Sequence, residues 1–481
     1  MEKILSKRDR RLIELIEILM NESNLTHSYL KGKLNINART LNNTILYGND
    51  ILKPLKIIKS LKGGVKLYIP DTCSIEFAYQ KILCNSMEFR VLECIFFDET
   101  YTIETLSEKL FVSTATLRRM IKKINDCLIT EDFRIAVNPI RIEGKEERIC
   151  NFIVHYFLEK SSDEYVLFKK NQLSLVDYMI QTTLKKKNFE LTYENLRKIR
   201  IWLLVVFNRS KIKQLNTQDF GKKSNPKIAE NIFEKFNNYK SLTIQKNPYF
   251  FLLNQIFLNK LTYTTKHKLV TQKIYDTQVL SNLRMFDGII TSIVKRLKID
   301  APKNKEEVLM ELCYIANIQY GRSYCIYNKH YIFYQKLANY TLGITDELYE
   351  IFYLNMSNRG ILVQDYQIYC YIYTMIVYWQ GFIPSIKRRL PKIRIGLYFS
   401  VDPRYMIVLK DILSSELSEE SILTLISEEV FEEKHYDLIL TNKQNLEKHS
   451  HCLCFPIFPN SKNIEVLREY IKKLQKEIIN N

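Results

Sequence analysis

The stretch Thr102–Leu128 reads TIETLSEKLFVSTATLRRMIKKINDCL. A helix-turn-helix needs apolar anchors on two helices, a small residue where they cross, and a tight turn between them. Leu106, Leu110, Val112, Leu117 and Met120 stand at anchor spacing, and Ser107 is the small residue. Phe111 occupies the turn position where glycine is usual. Ser113 is placed to cap the second helix, because its hydroxyl can accept one of the orphan N–H groups of the first turn. The exposed face of that helix then carries Thr114, Thr116, Arg118, Arg119, Lys122 and Lys123. Arginine can pair guanine with two hydrogen bonds, while lysine and threonine mostly hold phosphates. Ser113 and these six residues are the first candidate DNA contacts. The competing reading is an ordinary helical hairpin with a solvated basic side.

Working outward, a strand pair follows, Phe133–Val137 and Ile140–Ile142, turning at Asn138–Pro139, and a helix over about 86–97 precedes. The set reads as a winged helix. The same order occurs upstream. An amphipathic helix with Leu12, Ile13, Leu15, Ile16 and Leu19 leads into short helices at about 26–34 and 38–47. A strand pair, Leu55–Ile58 and Val65–Ile69, closes the unit around Gly63–Gly64. Leu30, Leu34, Ile36 and Leu41 match the anchor spacing, with Lys31 at the small-residue place. The second helix here offers Asn37, Arg39, Thr40, Asn42 and Asn43, a polar and barely charged set. These five are further candidate contacts, against the reading of a purely structural winged helix.

The whole chain has 481 residues, enough for about three to five domains. Its 71 Lys+Arg and 53 Asp+Glu leave a net charge of +18, which favours polyanionic partners. Most of that excess, +15, falls in residues 181–300 rather than at the helix-turn-helix end. That segment suits either a solvated helical surface or flanking phosphate contacts. Ten cysteines without a CxxC pair suit reduced, cytoplasmic thiols better than a disulfide framework. The charged start, MEKILSKRDRR, does not read as a signal peptide. Ile368–Pro384 is the most membrane-like run, but a span needs about 20 mostly apolar residues, so a buried helix is expected. With no GxxxxGK[ST], HExxH or GxSxG, no catalytic residue, cofactor or metal site is expected.

Residues 150–390 read as almost wholly helical, with breaks at Phe220–Pro226 and Lys298–Lys305. The last 90 residues alternate strands and helices, as a small α/β domain does. The expected fold is mainly α and multidomain. Its parts are winged helix-turn-helix units at 1–70 and 71–149, all-α bundles at 150–275 and 276–389, and an α/β domain at 390–481.

This order resembles the Mga/AtxA type of virulence regulators, cytoplasmic transcription factors of low-GC Gram-positive bacteria. Tyr101–Asn125, with LSEKLFVSTATLRRMIKKIN inside it, is similar to that family's second DNA-binding motif. The resemblance implies that the bundles are PTS regulation domains and that the tail is like a sugar-transport enzyme IIB domain. It also implies histidine phosphorylation by the phosphorelay proteins, with His267 and His330 the candidates inside the bundles. In phosphate-carrying IIB domains a cysteine follows the first strand. Here that strand runs out through Tyr398–Phe399–Ser400–Val401–Asp402–Pro403, so phosphoryl transfer by the tail is not expected.

The leading expectation is a DNA-binding global regulator, an activator, acting as a homodimer or higher oligomer on double-stranded DNA and away from any membrane. The alternatives are an RNA-binding antiterminator with PTS regulation domains, which the helix-rich start disfavours, and a nucleoid-type binder that reads DNA shape.

Overall fold

The structure, a computed structural model, describes residues 1–21, 25–59, 64–161, 163, 167–187, 193–212, 277–318, 324–361, 363–417, 421–426, 436–443 and 451–480. It divides into two compact units: Met1–Val279 with Cys313–Asn328, and Leu280–Leu312 with Lys329–Asn481. The division is coarser than five domains, and its break after Val279 lies near the expected boundary at 275. The Phe220–Pro226 break and His267 lie outside the described residues.

The first unit opens with α1 (Lys7–Asn21), β1 (Leu25–Thr26), α2 (His27–Leu34), α3 (Ala38–Ile51), β2 (Lys56–Lys59) and β3 (Gly64–Tyr68). The strands form an antiparallel sheet in the order β1-β3-β2. α4 (Glu76–Asn85) links to the second winged helix: α5 (Met87–Phe97), α6 (Ile103–Lys109), α7 (Thr114–Leu128), β4 (Phe133–Val137) and β5 (Ile140–Gly144). Each helix buries one stripe. On α7 the stripe is Leu117, Ile121, Ile124 and Leu128, a helical period with the charged residues opposite. β4 and β5 pair antiparallel from Phe133↔Gly144 to Val137↔Ile140. Gly144 has φ +146°, and a Cβ there would stand 2.4 Å from the Asp132 carbonyl, so the base of this wing admits only glycine.

Among the described residues of the unit, α8 (Glu146–Lys160), α9 (Lys170–Lys187) and α10 (Tyr193–Ile212) follow. α8 is cemented to the winged helix by rings: Phe89 stacks on Tyr156 (5.1 Å) and Phe133 meets Phe152 edge-on (5.5 Å). Cys313–Ile318 and Tyr324–Asn328, expected in the second bundle, group with this unit instead. The reason is local. Tyr324 and Ile326 are buried; the Tyr324 hydroxyl donates to Glu131 (2.5 Å) and the Ile326 N–H to Glu159 (2.8 Å). Tyr324 also packs edge-on against Phe152, at 5.0 Å. Burial pushes the Glu159 carboxyl up to about 7.

The next described helices are α11 (Thr277–Leu297), α12 (Lys305–Ile318), α13 (Lys329–Thr341), α14 (Ile344–Ser357), α15 (Asp365–Tyr378) and α16 (Phe382–Lys387). The break expected at Lys298–Lys305 separates α11 from α12. The membrane-like run is two helices, α15 and α16, parted at Gly381 (φ +82°). No described helix is long and apolar enough to cross a membrane. The tail holds β6 (Ile393–Tyr398), α17 (Pro403–Leu417), β7 (Ser421–Leu425), β8 (Leu438–Thr441), β9 (Cys452–Cys454) and α18 (Ser461–Asn480). Its sheet is wholly parallel, in the order β7-β6-β8-β9. That is an open α/β arrangement, with α17 and α18 covering the core. No two of the ten cysteines are joined in a disulfide.

Candidate nucleic-acid interface

Thr102 caps α6 and exchanges hydrogen bonds with Thr105 in a capping box. Its register sends Ile103 and Leu106 inward and buries Ser107 where the helices cross. The chain then reverses at Phe111, whose φ is +55°. The Val112 N–H returns to the Ser107 carbonyl at 3.0 Å. Ser113 caps α7: its Oγ accepts the Thr116 N–H at 3.1 Å and meets the Thr116 hydroxyl at 2.8 Å. Ser113 and Thr116 thus shape the start of α7, and Thr116 is only half-exposed. Thr114, Arg118, Arg119 and Lys122 project into solvent together. No acidic residue stands in the first turn of α7, so its N-terminal dipole is open to a phosphate. Glu104, on α6, is held below the usual carboxylate range by its own backbone N–H and the Thr102 hydroxyl, with Arg118 adding a little.

Lys123 corrects the sequence reading. It does not join the exposed cations; its Nζ bonds the buried Glu88 carboxylate at 2.7 Å and the Leu5 carbonyl at 2.8 Å. It sits at the edge of the α7 face, and a buried acid on α5 draws it inward. The anchors shift likewise: Ile121 and Ile124 are buried, while Met120 and Val112 are half-buried.

The turn residue makes a direct prediction. Phe111 is 92% exposed, so its ring packs on little, yet its backbone is left-handed. That conformation costs an L-residue about 1–2 kcal/mol, partly offset in glycine by chain entropy. Phe111→Gly is therefore expected to raise stability by about 0.5–1 kcal/mol, read by urea melting; a loss would show that the ring has a partner.

The first winged helix repeats this architecture at one fixed interval, the 76 positions from Asn37 to Ser113. Thr26 caps α2 as Thr102 caps α6. Asn35 (φ +50°) turns where Phe111 turns. Asn37 caps α3, its Oδ1 accepting the Thr40 N–H at 2.8 Å. Leu41 and Ile45 are buried as Leu117 and Ile121 are. Tyr47 takes the place of Lys123: its hydroxyl donates to Asp9 on α1 at 2.6 Å, as Lys123 donates to Glu88 on α5. Burial and that bond to Asp9 push the Tyr47 phenol up. Asn49 and Asn125 each hold a wing strand by both backbone groups, at Ile57 (2.9 and 2.6 Å) and Ile135 (2.8 and 2.7 Å). Residue-type reading missed these four ties, although aligning the two units at this interval would have found the paired asparagines.

So Asn37 and Thr40 are mainly builders of the α3 start, with Thr40 half-exposed, whereas Arg39, Asn42 and Asn43 are exposed. Beside them a groove of about 680 Å³ runs between α1 and α3, lined by Arg8, Arg11, Thr40 and Asn43 among others. On the second wing, Arg134 and Arg141 both reach Glu143 (3.5 and 2.5 Å), which offsets part of their charge.

Of the two histidines singled out from sequence, only His330 lies among the described residues. His330 is in the first turn of α13, its ring 4.8 Å from that of Tyr373. No group of His, Cys, Asp or Glu among the described residues could hold a metal ion.

Comparison with known proteins adds to this geometry. Residues 71–157, from α4 through most of α8, match the Mga helix-turn-helix domain. The chain is 21% identical over 476 residues to a trans-acting regulator of Streptococcus pneumoniae serotype 4, covering 92% of this chain and 93% of that protein. It is 24% identical over 331 residues to the capsule synthesis positive regulator AcpA of Bacillus anthracis, covering 65% of this chain and 66% of that protein. It is 23% identical over 208 residues to the anthrax toxin expression trans-acting positive regulator of Bacillus anthracis, covering 43% of each.

Proposed function

We propose how this chain, a transcription regulator of the Mga/AtxA type, works: it binds double-stranded DNA by laying α7 in the major groove, and it acts as a positive regulator. The observation that carries the reading is the capped α7, whose apolar stripe is buried while Arg118, Arg119 and Lys122 are exposed on the opposite side. A recognition helix places its N-terminal residues against base edges, with the wing along the backbone. Arg118 and Arg119 are then the guanine readers, and Thr114 and Lys122 the phosphate contacts. α3, with Arg39, Asn42 and Asn43 exposed, is a second reading helix.

Regulation follows from the other parts. The helical bundles act as PTS regulation domains, and phosphorylation of His330 by phosphorelay proteins would add about −2 charge beside Tyr373 at the start of α13. A homodimer or higher oligomer would double the DNA contacts. The chain works in the cytoplasm, and it regulates rather than catalyses.

The test is a duplex-binding titration at fixed salt with the full chain. Arg118→Ala and Arg119→Ala should each cost about 1–3 kcal/mol at the preferred site and relax the preference for guanine. Lys122→Ala should weaken binding to all sequences alike and lower the salt slope by about one. Affinity and promoter preference unchanged in the doubly substituted Arg118/Arg119 chain would remove the assignment.

A further inference from the structure

We infer that the two recognition helices read different bases: α3 selects adenine–thymine pairs through Asn42, Asn43 and Leu46, while α7 selects guanine. The inference rests on the reading that both helices enter DNA. The common interval sets the comparison residue by residue. Where α7 presents Arg118, Arg119 and Lys122, α3 presents Asn42, Asn43 and Leu46, and all six are exposed. An asparagine amide matches the N6 donor and N7 acceptor of adenine, as a guanidinium matches O6 and N7 of guanine. Leu46 is 68% exposed at the place of a lysine. An exposed leucine alone is ordinary, but in line with two asparagines it suits the thymine methyl group.

A second observation supplies what α3 lacks. Nearly neutral, it cannot hold the backbone as α7 can. The groove between α1 and α3 brings Arg8 and Arg11 alongside Thr40 and Asn43. The Arg8 guanidinium lies 3.3 Å from the centroid of the Tyr47 ring, and the Tyr47 hydroxyl is fixed by Asp9. Arg8 is thus preorganised by a cation–π contact. Asp50 also lines the groove, 4.0 Å from Lys53 Nζ, so Arg8 and Arg11 leave the groove with a net positive charge for phosphates. Phosphate contacts of this kind position a helix without reading sequence, and specificity is left to the asparagines and Leu46.

The experiment is selection of bound duplexes from a randomised pool by the full chain, followed by binding of variants to the selected sites. The selected sites should combine an adenine–thymine block with a guanine-bearing block at constant spacing. N42A/N43A should flatten the preference at the first block by about tenfold or more and leave the second intact, with R118A/R119A doing the reverse. R8Q/R11Q should weaken binding to every duplex and lower the log–log salt slope by about 0.9 for each phosphate no longer neutralised. Circular dichroism of each variant keeps folding separate; the exposed asparagines should leave the spectrum unchanged. If R118A/R119A acts as expected but N42A/N43A alters neither block, this inference is wrong and the reading of α7 stands. If no variant of either helix alters binding, both are wrong.

Discussion

Arg209→Met is expected to cost about 3–5 kcal/mol and to loosen the second wing, the largest stability effect of any single substitution considered for the first unit. Arg209, on α10, is 0% exposed. Its Nε and Nη2 take both oxygens of Glu146 (3.0 and 2.7 Å), Nη1 takes Glu99 (2.7 Å), and Nη2 also reaches the Ile142 carbonyl (3.3 Å). Glu99 in turn accepts the Ile142 N–H at 3.0 Å. One guanidinium therefore satisfies the outer edge of β5 and neutralises a carboxylate that is itself sealed, since the Glu146 side chain is 1% exposed. Removing the cation strands that charge. Removing both should not: Arg209→Met with Glu146→Gln is expected to recover much of the loss, because a buried pair contributes little net stability beyond its mutual compensation. Urea melting measures the cost, and hydrogen exchange at the Ile142 amide reports the wing. A loss below about 1 kcal/mol for Arg209→Met would show that water already reaches the cluster.

Arg209 also marks where sequence reading stops. The bounds of α7 and β4 were legible because a capped, amphipathic helix and an alternating strand write themselves in local spacing: Ser113 and Leu117 mark the helix, whereas spacing points to Met120 where Ile121 is the buried anchor. The order of the tail was legible for the same reason, except β7, Ser421–Leu425, whose pattern was not recognised beside the longer helices. β1, at two residues, is too short to show a period. Lys123 looked like part of a basic face, because what turns it inward is Glu88, a partner on another helix. Arg209 and Glu99 are 110 positions apart, and nothing in either neighbourhood announces the other. Local periodicity gives the elements; which charges remain outside depends on tertiary partners. Arg118 and Arg119 could be nominated from spacing alone, but only the structure separates them from Lys123.

The tandem asparagines carry the other large effect. Asn125→Ala should cost about 2–4 kcal/mol, because it strips the Ile135 N–H and C=O of their partners at a residue that is buried. Asn49→Ala should cost a similar amount through Ile57. The two ties stand in separate winged helices, so the double variant should lose the sum to within about 0.5 kcal/mol. Asn→Asp at either position keeps the acceptor for the strand N–H and loses the donor to its carbonyl, so it should fall between Ala and wild type. The functional consequence is geometric. Each asparagine fixes the angle between a recognition helix and its wing, and DNA binding needs both surfaces at once. Asn125→Ala should therefore weaken duplex binding even where the chain remains folded, and should do so without the unit change in salt slope that marks the removal of a cation from a phosphate. Comparing the salt slopes of Asn125→Ala and Lys122→Ala separates the two roles. An equal fall in both slopes would mean that Asn125 touches the backbone of DNA rather than holding the wing.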